Sequence, residues 1–166
     1  MKKKQVVLVD ICNTLADVNE QIDLVTGVSR PEGTYYHPAV TGDAFFEKHL
    51  EVFSNAHVID GSVEFVNRIA RTYDVLYVTA RPECSYEVTR KWLHENGYPA
   101  APITFTKDKV SSCRELNVAF AVDDAPAEIM AYNRSGILCL VPAWDYNINM
   151  LGRFVYRKGG VCHAGA

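Results

Sequence analysis

The strongest constraint on this chain is a series of short aliphatic runs, each stopped by polar residues and separated from the next by a stretch of helical length. The runs are Val6-Val7-Leu8-Val9, Val75-Leu76-Tyr77-Val78, Ile103 to Phe105, Val118 to Val122 and Ile137 to Val141. Runs of this kind read as strands buried on both faces. Between them, Gly61 to Thr72, Cys84 to Asn96 (stopped by Gly97), Lys109 to Leu116 and Pro126 to Ser135 (ending at Gly136) have helical character. In the first, Val63, Val66, Ile69 and Ala70 face inward. Strands alternating with helices predict an α/β fold: a three-layer α/β/α, Rossmann-like parallel sheet with right-handed crossovers.

From Thr14 to about Asp60 this rhythm fails. The section is polar and turn-rich, with Gly27, Pro31, Gly33, Pro38 and Gly42. It contains one amphipathic segment, Asp43 to about Asn55, in which Phe45, Phe46, His49, Leu50 and Phe53 recur at helical spacing. So long a loop without structure of its own is unusual in a compact domain, so a small cap inserted after the first strand is expected. The expected division is a core of residues 1–16 and 61–142, a cap of 17–60, and a C-terminal extension of 143–166. In that extension Arg153 to Tyr156 and Gly159-Gly160-Val161 read as a hairpin, an edge strand or a tail docking on a partner subunit as a homodimer.

Composition narrows the classes. A chain of 166 residues suits one domain with a sizeable core. A net charge of −3 supplies no broad basic face for nucleic-acid phosphates. The Lys2-Lys3-Lys4 start before Val6 to Val9 looks like a secretory leader, but Asp10 and Asn13 interrupt the apolar run early. No run reaches membrane-spanning length, so no membrane partner is expected. The five cysteines (Cys12, Cys84, Cys113, Cys139, Cys162) are odd in number and never in a C-x-x-C pair. That argues against a disulfide framework or structural zinc and for a reducing cytoplasm.

The strand ends carry the chemistry. The first ends at Asp10, the second at Thr79 in Val-Thr-Ala-Arg-Pro, and a later one at Asp123-Asp124. In one parallel sheet these converge on the carboxyl edge, where open α/β sheets bind ligands. Lys107 and Lys109 lie on the intervening connection. Clustered carboxylates need a cation, and hard oxygen donors indicate Mg²⁺. With a hydroxyl and an ammonium added, these are the parts for handling a phosphoryl group. Plainer readings exist: Asp124 or Ala125 capping a helix that starts at Pro126, and Lys107-Asp108-Lys109 as a solvated turn.

In this pattern the sequence resembles the haloacid dehalogenase superfamily, which consists mostly of Mg²⁺-dependent phosphatases. Asp10-Ile11-Cys12-Asn13-Thr14 stands where its D-x-D-x-T motif would be, Thr79 matches its second motif, Lys109 (or Lys107) its third, and Asp123-Asp124 its fourth. The short cap, Val-Thr-Ala-Arg-Pro and Val-Asp-Asp look most like its small 5′-nucleotidase and polynucleotide-phosphatase branches. The resemblance implies that Asp10 is the nucleophile of an aspartyl-phosphate intermediate. It also implies that Asp10, the Cys12 carbonyl and Asp123 hold Mg²⁺, with Asp124 supporting through waters, and that Thr79 and Lys109 hold phosphate. Thr14 orients the loop. Arg81 reaches the substrate or pairs with a surface acid. The expected partner is a small phosphorylated substrate such as a nucleotide or nucleic-acid end; a sugar or other metabolite phosphate is the alternative.

One departure matters. The family's phosphatases carry a second aspartate two residues after the nucleophile, which protonates the leaving oxygen. Here Cys12 stands there. General acid–base assistance contributes ~10²–10⁴-fold, and a thiol of pKa about 8.5 is a poor donor. Three readings follow: a slow phosphatase or one with a good leaving group, a proton donor elsewhere (His37, Asp17 or Glu20), or a weakened module that binds phosphate without turnover. Tyr35-Tyr36-His37 and Phe45-Phe46 read as a stacking lid or as the cap's apolar underside, and Trp144 as core, rim or pocket wall.

Overall fold

The computed structural model describes residues 4–150 and 153–157. Strand β1 (Val6–Val9) is followed by β2 (Ala16–Asp17), α1 (Val18–Thr26), α2 (Asp43–Lys48), α3 (Glu51–Ser54) and β3 (His57–Val58). Next come α4 (Ser62–Ala70), β4 (Asp74–Thr79), a 3₁₀ turn (Glu83–Ser85) continuous with α5 (Tyr86–Glu95), and β5 (Ile103–Phe105). The order then runs α6 (Lys109–Ser112), β6 (Val118–Val122), α7 (Pro126–Arg134), β7 (Cys139–Ala143) and β8 (Arg153–Arg157).

The main sheet has the order β5-β4-β1-β6-β7-β8, and each pairing in it is parallel. Side chains of a strand alternate between faces, and β1 uses both. Val7 and Val9 join Val66, Ile69, Val75, Tyr77, Trp92 and Leu93, under α4 and α5. Leu8 joins Val78, Ala121, Ile129, Tyr132 and Val141, under α7. The result is the three-layer α/β/α arrangement. Chain order turns one way from β1 through β4 to β5 and the other through β6 to β7, so the ligand crevice of such a sheet falls at the ends of β1 and β6.

The segment between β1 and α4 leaves this sheet and returns through the antiparallel pairing of Ala16 with Val58 and Asp17 with His57. Its first helix, α1, does not follow from apolar periodicity. Its start is instead held by side chains: Asp17 accepts from the Glu20 N–H at 3.1 Å, and Asn13 Oδ1 accepts from those of Val18 and Asn19, each at 3.1 Å. The expected single helix from Asp43 to Asn55 is broken into α2 and α3, with His49 in non-helical backbone (φ −128°, ψ 53°) at the break. No glycine or proline marks that point. Helix α6 closes at Ser112, short of the expected Leu116, and the strand expected over Ile137 to Val141 lies over β7, followed by β8 at the sheet edge. Gly159 to Val161, Cys162 and His163 lie outside the described residues.

Candidate active site

The loop after β1 is a tight turn. Ile11 O accepts from the N–H groups of Thr14, Leu15 and Ala16 at 3.3, 2.9 and 3.0 Å. Asn13 takes a left-handed φ of 55°, a conformation asparagine tolerates because its side chain bonds local backbone, as it does here to the start of α1. The turn aims Asp10 and the Thr14 hydroxyl at the same point. Thr14 Oγ1 lies 3.0 Å from Asp10 Oδ2 and 3.0 Å from Asp124 Oδ1.

Asp10, Asp123 and Asp124 are all buried, and each contributes a carboxylate oxygen within 4.8 Å of the others. Lys109, first residue of α6, lies across them: its Nζ donates to Asp10 Oδ1 and Asp123 Oδ2, each at 2.7 Å. Asp123 Oδ1 also accepts from the Ala125 N–H at 3.0 Å, so it serves the turn into α7 as well. Burial pushes the Asp123 and Asp124 carboxyls above the usual carboxylate range, and their acidic neighbours add to it. Burial works against a charged Lys109, but Asp10 and Asp123 outweigh it and hold the ammonium well above its ordinary value. Three carboxylates face one ammonium, so a divalent cation would bring the cluster to neutrality. The donors are hard oxygens, which fits Mg²⁺.

Lys107, the alternative lysine, sits 70% exposed and pairs with Asp43 at 2.6 Å. Thr79, at the end of β4, is buried, and its Oγ1 accepts from the Arg81 N–H at 3.3 Å. Arg81 does not pair with a surface acid. It is buried, donates from Nε to Cys12 Sγ at 3.1 Å and from Nη1 to Thr89 Oγ1 at 2.9 Å, and lies 4.2 Å over the Phe53 ring. Burial raises the Cys12 thiol pKa and Arg81 opposes it, so the net effect leaves a thiol rather than a thiolate.

A cavity of about 410 Å³ opens above these groups, lined by Asp10, Cys12, Thr79, Arg81 and Lys109 below and by Tyr35, His37, Val40, Phe46 and Phe53 above. Tyr35 and Phe46 therefore face the cavity, while Phe45 packs on Phe46 and His49. The three alternative proton donors are engaged elsewhere. His37 Nδ1 accepts from the Ala39 N–H at 3.1 Å, so Nε2 carries the proton toward Asp23 and the Val28 carbonyl, each at 3.0 Å. Glu20 meets His57 at 2.8 Å, and Asp17 caps α1.

Three aromatic residues stand near the site, of which the sequence offered Trp144 as a pocket wall and gave no contact for Tyr146 or Tyr156. Tyr146 donates to Asp124 Oδ2 at 2.6 Å, Trp144 Nε1 to Asn13 O at 2.6 Å, and Tyr156 of β8 to Thr14 O at 2.7 Å. Between the first two, Asp145 holds Arg30 at 2.7 Å and the Gly33 N–H at 2.6 Å, tying the loop after β7 to the segment that carries Tyr35. Only the place of Trp144-Asp145-Tyr146 after a strand of the sheet hinted at this.

Comparison with known proteins places this geometry. The family described as PITM 1-3, LNS2 domain matches residues 41–124, half of the chain. A relative from Oceanobacillus iheyensis named "Putative nucleotidase OB0422" is 26% identical over 116 residues, covering 65% of this chain and 62% of its own length. The chain thus spans less than two thirds of that relative. Among solved structures, the magnesium-bound HAD-hydrolase YfnB of Bacillus subtilis superposes with a TM-score of 0.57 at 12% identity, over 94% of each chain. The class C acid phosphatase of Bacillus anthracis does so with a TM-score of 0.54 at 17% identity, over 82% of this chain and 63% of that one. At such identities the likeness is one of fold. The family match makes the chain a member of the family described as PITM 1-3, LNS2 domain, and its fold is that of haloacid dehalogenase-like hydrolases.

Proposed function

We propose that the protein is a Mg²⁺-dependent phosphomonoester hydrolase acting through an aspartyl-phosphate at Asp10, with a nucleotide or nucleic-acid end as substrate. The observation that carries this is Lys109 bridging Asp10 and Asp123 at 2.7 Å each, beside Asp124, on the floor of the cavity. A nucleophilic carboxylate must be ionised and held, and Lys109 and Thr14 hold its two oxygens. Thr79 and Lys109 would receive the phosphoryl oxygens. Asp10, the Cys12 carbonyl and Asp123 would hold Mg²⁺, with Asp124 behind them. The bound ion would offset charge on the phosphoryl group. The aromatic wall formed by Tyr35 and Phe46 suits a base or another flat group, and a cavity of about 410 Å³ has the size of a small-molecule site. Free cysteines at 12, 84, 113 and 139 agree with a reducing compartment such as the cytoplasm. Among the described residues no helix is long and apolar enough to cross a membrane.

A second reading, a phosphate-binding module without turnover, is favoured by one observation: neither Cys12 nor His37, Asp17 or Glu20 is set to protonate a leaving oxygen. A phosphomonoester panel with Mg²⁺, run on wild type, Asp10→Asn and Cys12→Asp, separates the two. Turnover lost in Asp10→Asn supports the hydrolase. Silence in wild type with turnover gained in Cys12→Asp supports the binding module. Silence in both wild type and Cys12→Asp would remove the hydrolase reading.

A further inference from the structure

The cations around the cavity are not equivalent. Lys109 is committed to Asp10 and Asp123. Lys107 is committed to Asp43 at the surface. Arg81 has two anchors, Cys12 Sγ and Thr89 Oγ1, and the Phe53 ring fixes its plane. Its Nη2 has no hydrogen-bond partner among the described residues, although the residue is 95% buried and lines the cavity. A buried guanidinium with an unpartnered donor is incompletely solvated, so its charge is felt by an anion in the cavity that the residue lines.

In-line displacement places the leaving oxygen on the side of phosphorus opposite the attacking oxygen of Asp10. That side is the cavity, whose wall carries Cys12, Arg81 and Phe53. Resting on the hydrolase reading above, we propose that Arg81 is a catalytic residue: its fixed positive charge stabilises the departing oxygen beside Cys12, which stands where a carboxylic acid was expected. In the step, a bond forms between an Asp10 carboxylate oxygen and phosphorus while the bond from phosphorus to the leaving oxygen breaks. The bonding pair stays on the leaving oxygen, which departs as an anion paired with the guanidinium and takes its proton from water afterwards. A guanidinium keeps its charge throughout, so it supplies electrostatic stabilisation without proton transfer. Arg81 therefore matters most for alkyl phosphates, the sugar phosphate of a nucleotide among them, whose leaving oxygen bears negative charge poorly, and least for aryl or enol phosphates.

The test is a series of substituted phenyl phosphates and alkyl phosphates with Mg²⁺, comparing wild type, Arg81→Gln, Arg81→Lys and Thr89→Val, with melting temperatures as a check on folding. In wild type, kcat/KM falls less steeply with rising leaving-group pKa than it does in Arg81→Gln. Arg81→Gln loses little on nitrophenyl phosphate and about 10²-fold on the alkyl ester, the size of effect seen when one oxyanion donor is removed. Arg81→Lys restores most of the wild-type slope. Thr89→Val, which keeps the charge but frees one anchor, repeats the Arg81→Gln signature at smaller size and serves alone should Arg81→Gln not fold. An equal loss across the series, in either Arg81→Gln or Thr89→Val, makes Arg81 a strut and overturns the assignment while leaving the hydrolase standing. No turnover of any ester by wild type removes both.

Discussion

The Tyr146 hydroxyl donates to Asp124 Oδ2 at 2.6 Å, from the same loop in which Asp145 grips Arg30 and Gly33. One acid of the cluster is therefore held by a residue that also stacks on Trp144, with centroids 5.7 Å apart. Tyr146→Phe removes the hydrogen bond and keeps the ring. A part-buried bond to a carboxylate contributes about 1–2 kcal/mol, so the melting temperature should fall by a few degrees. Mg²⁺ affinity, read by calorimetric titration, should fall several-fold because Asp124 loses its orientation. Unchanged affinity would detach Asp124 from the metal site.

Lys109 is the only ammonium within reach of the three buried carboxylates among the described residues. Lys109→Met leaves Asp10 and Asp123 facing each other unpaired, and breaking a buried pair from one side costs about 3–5 kcal/mol. Metal-free Lys109→Met should show that loss in denaturant unfolding, and millimolar Mg²⁺ should return a larger share of stability than it adds to wild type. Lys107→Met, at an exposed pair, should change stability by less than about 1 kcal/mol.

Asn13 both occupies a left-handed turn and caps α1. Asn13→Ala loses the cap, about 0.5–2 kcal/mol, and adds the strain of a β-carbon at positive φ. Asn13→Gly loses the cap without the strain. The expected order of melting temperatures is wild type, then Asn13→Gly, then Asn13→Ala. Equal values for the two variants would show that the turn tolerates alanine.

The acid cluster also sets a pH dependence. Burial holds the folded-state pKa values of Asp123 and Asp124 above those of the unfolded chain. A raised pKa means that the folded protein binds protons more tightly, so these groups stabilise the metal-free fold at low pH. Their contribution is lost as pH rises from about 4, the unfolded value, through the raised folded values. The metal-free protein should therefore lose melting temperature between pH 5 and pH 8 in ~10 mM buffer, more than Asp124→Asn does. Saturating Mg²⁺ should flatten or reverse the slope, since it favours the charged carboxylates. A metal-free profile that rises over this range would contradict the effect of burial on these two acids.

Local pattern carried the sheet well and the cap poorly, for physical reasons. Buried parallel strands are continuous apolar runs, and the bounds expected for β4, β5 and β6 coincide with those found. Helix α1 was missed because Val18, Ile22 and Val25, though at helical spacing, stand among Asn19, Glu20, Gln21 and Asp23, and of its apolar residues only Val18 and Ile22 are buried. Its start was nevertheless signalled, since Asp17 followed three residues later by Glu20 is a capping pattern. The strand ends drew attention to Asp10, Thr79, Asp123 and Asp124, which the fold sets at one edge of the sheet. The Arg81 contact with Cys12 and the Tyr146 contact with Asp124 span 69 and 22 residues, and no local pattern reports a side-chain contact at that range.

The bond from the Tyr156 hydroxyl to the Thr14 carbonyl closes the nucleophile turn with a residue 142 positions later. During synthesis, every acidic residue of the cluster has joined the chain before the strand that braces the turn has been made. A chain cut after Asn149 would keep Asp10, Lys109, Asp123, Asp124 and Tyr146, yet its Asp10 loop would be braced from one side only. The brace on the Asp10 turn is thus the last part of the site to be made, and a clipped chain would carry the residues without it.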